Sequence, residues 1–393
     1  MQMLSKELFI HQRDPAVEIG PGALTYVSAH ANHLLFQYQE SRVSDVVDSQ
    51  QEILSRDNGR TWSAPRPFRV RRPVEGGTEC YNDMATFLDP VTDKVCFIID
   101  RYIERASGTL LTDVQPDMVF AEYEHRTDTF RVIESHQFGL KPGIFVSMCW
   151  PVFLRRDKVL VPAKTFALDA QGEILRYAPD SRQAVQQDVM VIGDRQASGG
   201  WTWRLGGRVP SLPMEVSCRG CHEHSVARLA DGRLVTVIRG SNAKFPERPG
   251  LKWQSFSRDD GETWTPPEPL RYHDHFLMES GSNGPCLWRS SKTGKLYFIG
   301  NPCVAGERAV GNWPRSPLAI FEVREEPFAL RRDTMTVIDQ RGPGDAARLQ
   351  LSNFRFYEDR EDGNLVLFMT RLGEKGGEPD TQGDLYRYRI ELD

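Results

Sequence analysis

The octet Ser55-Arg-Asp-Asn-Gly-Arg-Thr-Trp62 returns in the second half of the chain as Ser257-Arg-Asp-Asp-Gly-Glu-Thr-Trp264, identical at six of its eight positions. Its chemistry is that of a tight turn between strands. Ser and Asp side chains hydrogen-bond turn backbone, Gly supplies a positive φ, and Trp packs over the turn. Asp57, Trp62, Asp259 and Trp264 are therefore read as turn residues that do no chemistry. Ser198-Gly-Gly-Trp-Thr-Trp203 keeps the Gly-x-Thr-Trp end and reads as a degraded third copy. A turn that recurs in one chain implies a recurring sheet unit.

The rest of the sequence agrees. Val159-Leu-Val-Pro162, Arg233-Leu-Val-Thr-Val-Ile-Arg239, Lys295-Leu-Tyr-Phe-Ile299 and Asn364-Leu-Val-Leu-Phe-Met-Thr370 are short, β-branched or aromatic, and bounded by turn residues. No window carries a capped helical stripe. A length of 393 residues suggests two or three domains at about 150 residues each. No Pro/Ser/Gly linker divides the chain, however, and its 32 Gly and 25 Pro are spread as turn material. The expectation is one all-β unit over residues 1–393. Asp384-Leu-Tyr-Arg-Tyr-Arg-Ile-Glu391 alternates polar and apolar residues and is expected to pair with an N-terminal segment, removing free sheet edges.

Composition excludes several function classes. The 20 Phe, 11 Tyr and 8 Trp demand a core, which excludes a mostly disordered chain. No apolar run reaches the ~18 residues of a membrane-spanning helix, so no membrane partner is expected. A net charge of −5 gives no basic field for nucleic acid. Seven cysteines in a long chain are poor evidence for a disulfide framework. Met1–Ile10 holds no secretory signal, so the expected location is cytoplasmic. Neither a nucleotide-binding glycine pattern nor a G-x-S-x-G elbow occurs. Oligomeric state is left open.

The octets are similar to the Asp-box of the sialidase superfamily, and the resemblance runs from about residue 11 to about residue 370. Arg13-Asp-Pro-Ala-Val17 resembles that family's first motif, with Asp14 in place of Ile. Glu40-Ser-Arg42 resembles its Glu-Ala-Arg, and Asp45-Val-Val-Asp48 occupies the segment of its acidic residue. Glu223-His-Ser-Val-Ala-Arg-Leu-Ala-Asp-Gly-Arg-Leu234 is close to a further motif, Arg239 falls at the second arginine, and Asn301-Pro302 followed by Arg308 or Arg315 resembles the segment of the third. The resemblance implies a six-bladed β-propeller of sialidase type, with blades of about 60 residues and a site where the inner loops converge.

It also implies a sialidase-like glycoside hydrolase acting on a terminal acidic sugar, sialic-acid-like or uronic, with an acidic glycan as partner. Arg13, Arg239 and Arg315 are the expected carboxylate clamp, Arg308 being the rival of Arg315; guanidinium forks suit a planar anion. Asp45, ten residues before Ser55, is the expected acid/base, with Asp48 second. Glu223 matches the glutamate that activates a tyrosine nucleophile. At the tyrosine's place the chain reads Leu351-Ser-Asn-Phe-Arg-Phe-Tyr-Glu358, so Asn353 or Phe354 stands there and Tyr357 serves only under a shifted alignment. Arg42, His222 and His224 complete the candidate substrate-binding set.

Two rival signals remain. Cys218-Arg-Gly-Cys221-His222-Glu-His224 has the haem c pattern and zinc-compatible spacing. There is neither an export signal nor a second ligand pair, so no metal or cofactor is expected. His222 or His224 beside Glu223 could instead act as a base, which would give a propeller-fold polysaccharide lyase or glycosidase. His273 and His275 form a second pair, read as a polar loop. With the tyrosine missing, the third alternative is a non-catalytic carbohydrate-binding propeller.

Overall fold

The computed structural model describes residues 1–43, 46–104, 116–141, 143–147, 150–176, 184–197, 199–304, 306–376 and 382–393. The chain opens with β1 (Gln2–Ile10). Blade I follows as β2 (Glu18–Tyr26), β3 (Leu34–Ser41), β4 (Ser49–Ser55) and β5 (Arg66–Val70). Blade II is β6 (Arg72–Val74), β7 (Gly77–Leu88), β8 (Val95–Glu104), β9 (Asp117–Glu124) and β10 (Thr129–His136). Blade III is β11 (Phe145–Val146), β12 (Val152–Arg155), β13 (Lys158–Phe166), β14 (Gln186–Arg195) and β15 (Trp201–Arg208). Blade IV is β16 (His222–Arg228), β17 (Leu234–Arg239), β18 (Lys252–Ser257) and β19 (Glu268–Pro269). Blade V is β20 (Cys286–Arg289), β21 (Leu296–Gly300), β22 (Leu318–Glu325), β23 (Phe328–Leu330) and β24 (Thr336–Asp339). Blade VI is β25 (Arg355–Glu358), β26 (Leu365–Thr370) and β27 (Leu385–Glu391).

These sheets are antiparallel meanders and make a six-bladed β-propeller. β1 pairs antiparallel with β27, from Gln2 opposite Glu391 to Ile10 opposite Leu385, so the first strand is the outer edge of the last blade. The expected closure is therefore present. Among the described residues no helix is long and apolar enough to cross a membrane.

The middle strands read as unbroken apolar runs because both faces of each blade are covered. Leu234–Arg239, Leu296–Gly300 and Leu365–Thr370 are buried at every position. Apolar clusters fill the six interfaces between neighbouring blades. Phe36 and Phe368 join blades I and VI, Leu35 and Phe97 join I and II, and Ile98 and Val161 join II and III. Leu160 and Ile238 join III and IV, Val237 and Phe298 join IV and V, and Ile299 and Leu367 join V and VI. Each fully buried side chain of this size contributes about 1.5–3 kcal/mol relative to exposure.

The two octets fold identically, each on the connection from the third to the fourth strand of its blade. Gly59 N–H donates to Ser55 Oγ at 2.8 Å, Thr61 N–H to Asp57 Oδ1 at 2.8 Å, and Trp62 Nε1–H to the Gly59 carbonyl at 3.1 Å. In blade IV the matching bonds are Gly261 to Ser257 at 2.9 Å, Thr263 to Asp259 at 2.9 Å and Trp264 to Gly261 at 3.2 Å. Gly59 and Gly261 sit at φ 80° and 88°, where a side chain costs strain. The proposed third copy does not form this turn. Trp201 and Trp203 lie on β15, and Trp201 Nε1–H donates to Asp89 instead.

Ser257 is 2% exposed and accepts the buried Gly261 N–H. Ser257→Ala is expected to lower unfolding free energy by about 1–3 kcal/mol, the cost of an orphaned buried donor. Urea denaturation of the variant against wild type measures it.

Candidate functional site

Strand register separates the two ends of each blade. In blade IV, His222 lies opposite Arg239 and Arg239 opposite Lys252 at one end, while Leu234 lies opposite Ser257, where the octet begins, at the other. Blade I repeats this. Glu40 pairs with Ser49 at the first end, and Leu34 pairs with Ser55 at the octet end. The polar residues that meet at the axis belong to the end without octets.

Glu223 stands near the start of β16. Its φ is 51°, and the register slips between His222 and Ser225. This bulge breaks strand alternation and separates Glu223 from its two neighbours. His222 and His224 are both fully buried, whereas the Glu223 side chain keeps 12% of its surface. It faces a hollow of about 20 Å³ lined by Trp150, Gly284, Asn353, Phe354 and Arg355. That volume holds about one water molecule.

Glu223 is ion-paired with Arg239, and Lys164 Nζ lies 3.6 Å from its other oxygen. Burial alone would raise its carboxyl, but Arg239, Lys164 and further cations hold it well below the usual range near 4.5. Arg239 also donates to Ser282 Oγ at 3.0 Å and Asn312 Oδ1 at 3.3 Å. Arg315 donates to the Ser282 carbonyl at 3.4 Å, the Asn312 carbonyl at 3.3 Å, Gln350 at 2.7 Å and Ser352 at 3.1 Å. Arg239 and Arg315 thus share Ser282 and Asn312, although they stand far apart in sequence. Arg308 donates to the Glu247 carbonyl at 2.9 Å and stays exposed, so the paired position belongs to Arg315.

The structure does not assemble the whole expected set. Arg13 is exposed and lines a separate recess of about 1040 Å³ between the outer strands of blades VI and I, with Arg42, Asp48, Tyr38 and Trp62. The cause is the clamping of its segment to blade VI, where Gln12 N–H donates to Asp384 and Gly383 N–H to Gln12. Of the three expected arginines, the structure brings together Arg239 and Arg315 and places Arg13 apart from them. Asp48 accepts the Arg42 N–H at 2.7 Å in the same recess. Asp45 lies outside the described residues.

Tyr357 sits at the octet end. Its hydroxyl donates to the Asn58 carbonyl at 3.3 Å and packs over Gly59. Burial drives its phenol well above the usual range, and it is not among the residues that line the hollow with Glu223. Asn353, at φ 58°, and Phe354 line the hollow with Glu223, so the position expected for a tyrosine is occupied by groups that cannot replace one. His222 and His224 cannot touch a substrate at zero exposure. His224 Nδ1 lies 2.8 Å from buried Asp188, whose carboxyl burial pushes up. Cys218 and Cys221 are free thiols, and among the described residues no group of three or more His, Cys, Asp and Glu could hold a metal. His273 accepts the Arg332 N–H at 3.2 Å in an exposed loop.

Sequence reading missed Lys164, Lys252, Ser282 and Asn312. The one available signal was a lysine beside apolar residues in a strand-like run, as in Val161-Pro-Ala-Lys164 and Lys252-Trp253.

No family model matches the chain, and no curated protein matches it. Solved structures do. A protein of unknown function from Dyadobacter fermentans superposes with TM-score 0.65 at 12% identity, over 98% of each chain. The NanB sialidase of Streptococcus pneumoniae gives 0.62 at 13%, over 98% of this chain and 70% of that one. The α-L-arabinanase of Penicillium chrysogenum, complexed with arabinobiose, gives 0.57 at 14%, over 100% and 99%. At these identities what is shared is the propeller fold.

Both nitrogens of His222 lack partners, and burial, Arg219 and Arg239 hold it neutral well below the usual 6.5. Its unfolded form takes up a proton below that pH and its folded form does not. Folding stability is therefore expected to fall as pH drops through 6.5, by up to about 1.4 kcal/mol per pH unit from this group. His222→Leu should remove that component in denaturant titrations at pH 7.5, 6.5 and 5.5.

Proposed function

We propose that the protein is a glycoside hydrolase for a sugar with an acidic substituent, with Glu223 as the reactive anion. The observation that carries this reading is a carboxylate at the propeller axis, paired with Arg239 and Lys164 and facing a small hollow edged by Asn353 and Arg355. Glycosidic cleavage passes through a positively charged, oxocarbenium-like centre. A fixed, ionised glutamate stabilises such a centre directly or captures it as a nucleophile. With Asn353 and Phe354 at the expected tyrosine position, no phenol among the described residues that line the hollow relays its charge. Arg239 and Arg315 supply the positive wall toward which an acidic substituent orients. The likeness to a sialidase and an arabinanase supports a glycan substrate for this fold. Full burial of His222 and His224 speaks against a histidine base. A second reading, carbohydrate binding without turnover, draws on the absence of the phenol.

Fluorogenic α-sialosides, β-glucuronides and α-L-arabinofuranosides test the proposal. At least one acidic glycoside should be cleaved, with kcat falling about 100-fold or more in Glu223→Gln, the scale of losing one transition-state charge contact. Tyr357→Phe should cleave as wild type does. Saturation-transfer binding of N-acetylneuraminate or glucuronate without any turnover selects the second reading, and neither binding nor turnover refutes both.

A further inference from the structure

Lys252 opens β18 and is fully buried. Its Nζ donates to the Gly281 carbonyl at 2.8 Å and to the Asn283 carbonyl at 2.7 Å. Between those two acceptors lies Ser282. The Ser282 hydroxyl accepts from Arg239, its carbonyl accepts from Arg315, and its own N–H donates to the Gly311 carbonyl at 2.7 Å. The next residue after Asn283 is Gly284, where a Cβ would stand 3.8 Å from Glu223 Oε2. Ser282 thus touches both arginines, its two neighbours accept from Lys252, Gly284 approaches the carboxylate, and the segment carrying them has no strand of its own.

The groups facing Lys252 are Arg239 from β17, Arg315 from the segment before β22, Glu223 from β16 and Cys303 after β21. Burial, then the two arginines, push its amine well below the usual lysine range, while Glu223 and Cys303 pull the other way. The two carbonyls take two N–H donors of the amine and hold it in place, so the side chain works as a fixed double donor.

We propose that Lys252 is a positioning residue of the propeller centre: it pins residues 281–283 so that one serine orients Arg239 and Arg315, and Arg239 in turn orients and ionises Glu223. The inference uses the proposed function only in taking Glu223 as the reactive group. Its test reads the carboxylate itself, so it stands or falls apart from turnover.

The full chain labelled with ¹³C at glutamate carboxyls is titrated by NMR, and the Glu223 resonance is assigned by its loss in Glu223→Gln. The groups that set this resonance are Arg239, Lys164, His222 and Arg219, with Asp188 opposing them. In Lys252→Met, which keeps the chain length and removes both donors, Arg239 loses its fixed orientation. The Glu223 midpoint should rise by about one pH unit. Ser282→Ala, which removes only the hydroxyl that Arg239 reaches, should shift it in the same direction by less. Thr236→Val, in the same blade and equally buried, should leave it in place, which a general loosening of the blade would not do. A cooperatively folded Lys252→Met with an unmoved Glu223 midpoint overturns the proposal. If Lys252→Met fails to fold, an unmoved midpoint in Ser282→Ala overturns it. A shifted midpoint in a protein that cleaves none of the glycosides would refute the hydrolase reading and leave the positioning role standing.

Discussion

The pairing of β1 with β27 is the constraint on which the rest of the molecule depends. A sheet blade is apolar on both faces and cannot be stable alone; each must lie between two others. Joining Gln2–Ile10 to Leu385–Glu391 makes the last blade partly of N-terminal residues, which turns a row of six sheets into a ring. Every blade then has two neighbours, and the apolar runs at Leu234–Arg239 and Leu365–Thr370 find cover on both sides. Closure also aims the innermost strand of each blade along one axis. Glu223, Arg315 and Asn353 come from three different blades or their connections, and they meet only because the ring is shut.

The centre so formed is expensive to bury, and its wiring offsets that cost. A carboxylate and two guanidinium groups withdrawn from water each lose several kcal/mol of hydration. Arg239 recovers this through Glu223, Ser282 and Asn312, and Arg315 through Ser282, Asn312, Gln350 and Ser352. Nearly every guanidinium partner is a neutral acceptor. Positive charge therefore exceeds negative at the axis while the chain as a whole carries −5. Attraction for an anion is local and short-ranged, and at physiological salt it fades within about 8 Å.

Much of the fold was legible in the sequence because it rests on short-range rules. The Ser-x-Asp-x-Gly-x-Thr-Trp octets announce a turn whose Ser, Asp and Trp side-chain hydrogen bonds close within eight residues, and both copies form it. The alternating pattern of Asp384–Glu391 announced a closing strand. The site was legible only where chemistry and local order coincide, as at Glu223 and Arg239. Arg13 carries a recognisable motif, yet its direction is set by Gln12 and Asp384, residues remote from each other in sequence. Lys252 and Ser282 carry no motif, since their roles exist only once β18 and the 281–283 segment lie side by side. Gly200-Trp-Thr-Trp203 misled for the opposite reason: the local pattern survives, but without the Ser–Asp pair the tryptophans join a strand.

The two ends of the blades hold different groups, and this explains the fate of Tyr357. Along β25 only Arg355, Phe356 and Tyr357 separate the hollow from the octet turn. Arg355 borders the hollow, whereas Tyr357 already donates to Asn58 in the first octet. Tyr357 stands three or four residues beyond Phe354 and Asn353, a step of about 10–13 Å along a strand, from the hollow to the octet end. No rotamer of Tyr357 regains that distance, and its hydroxyl is committed beside Gly59, where a Cβ would collide with it. Glu223 is held at the hollow by Arg239, whose guanidinium also reaches the Ser282 hydroxyl, and Ser282 lies between the two carbonyls that accept from Lys252.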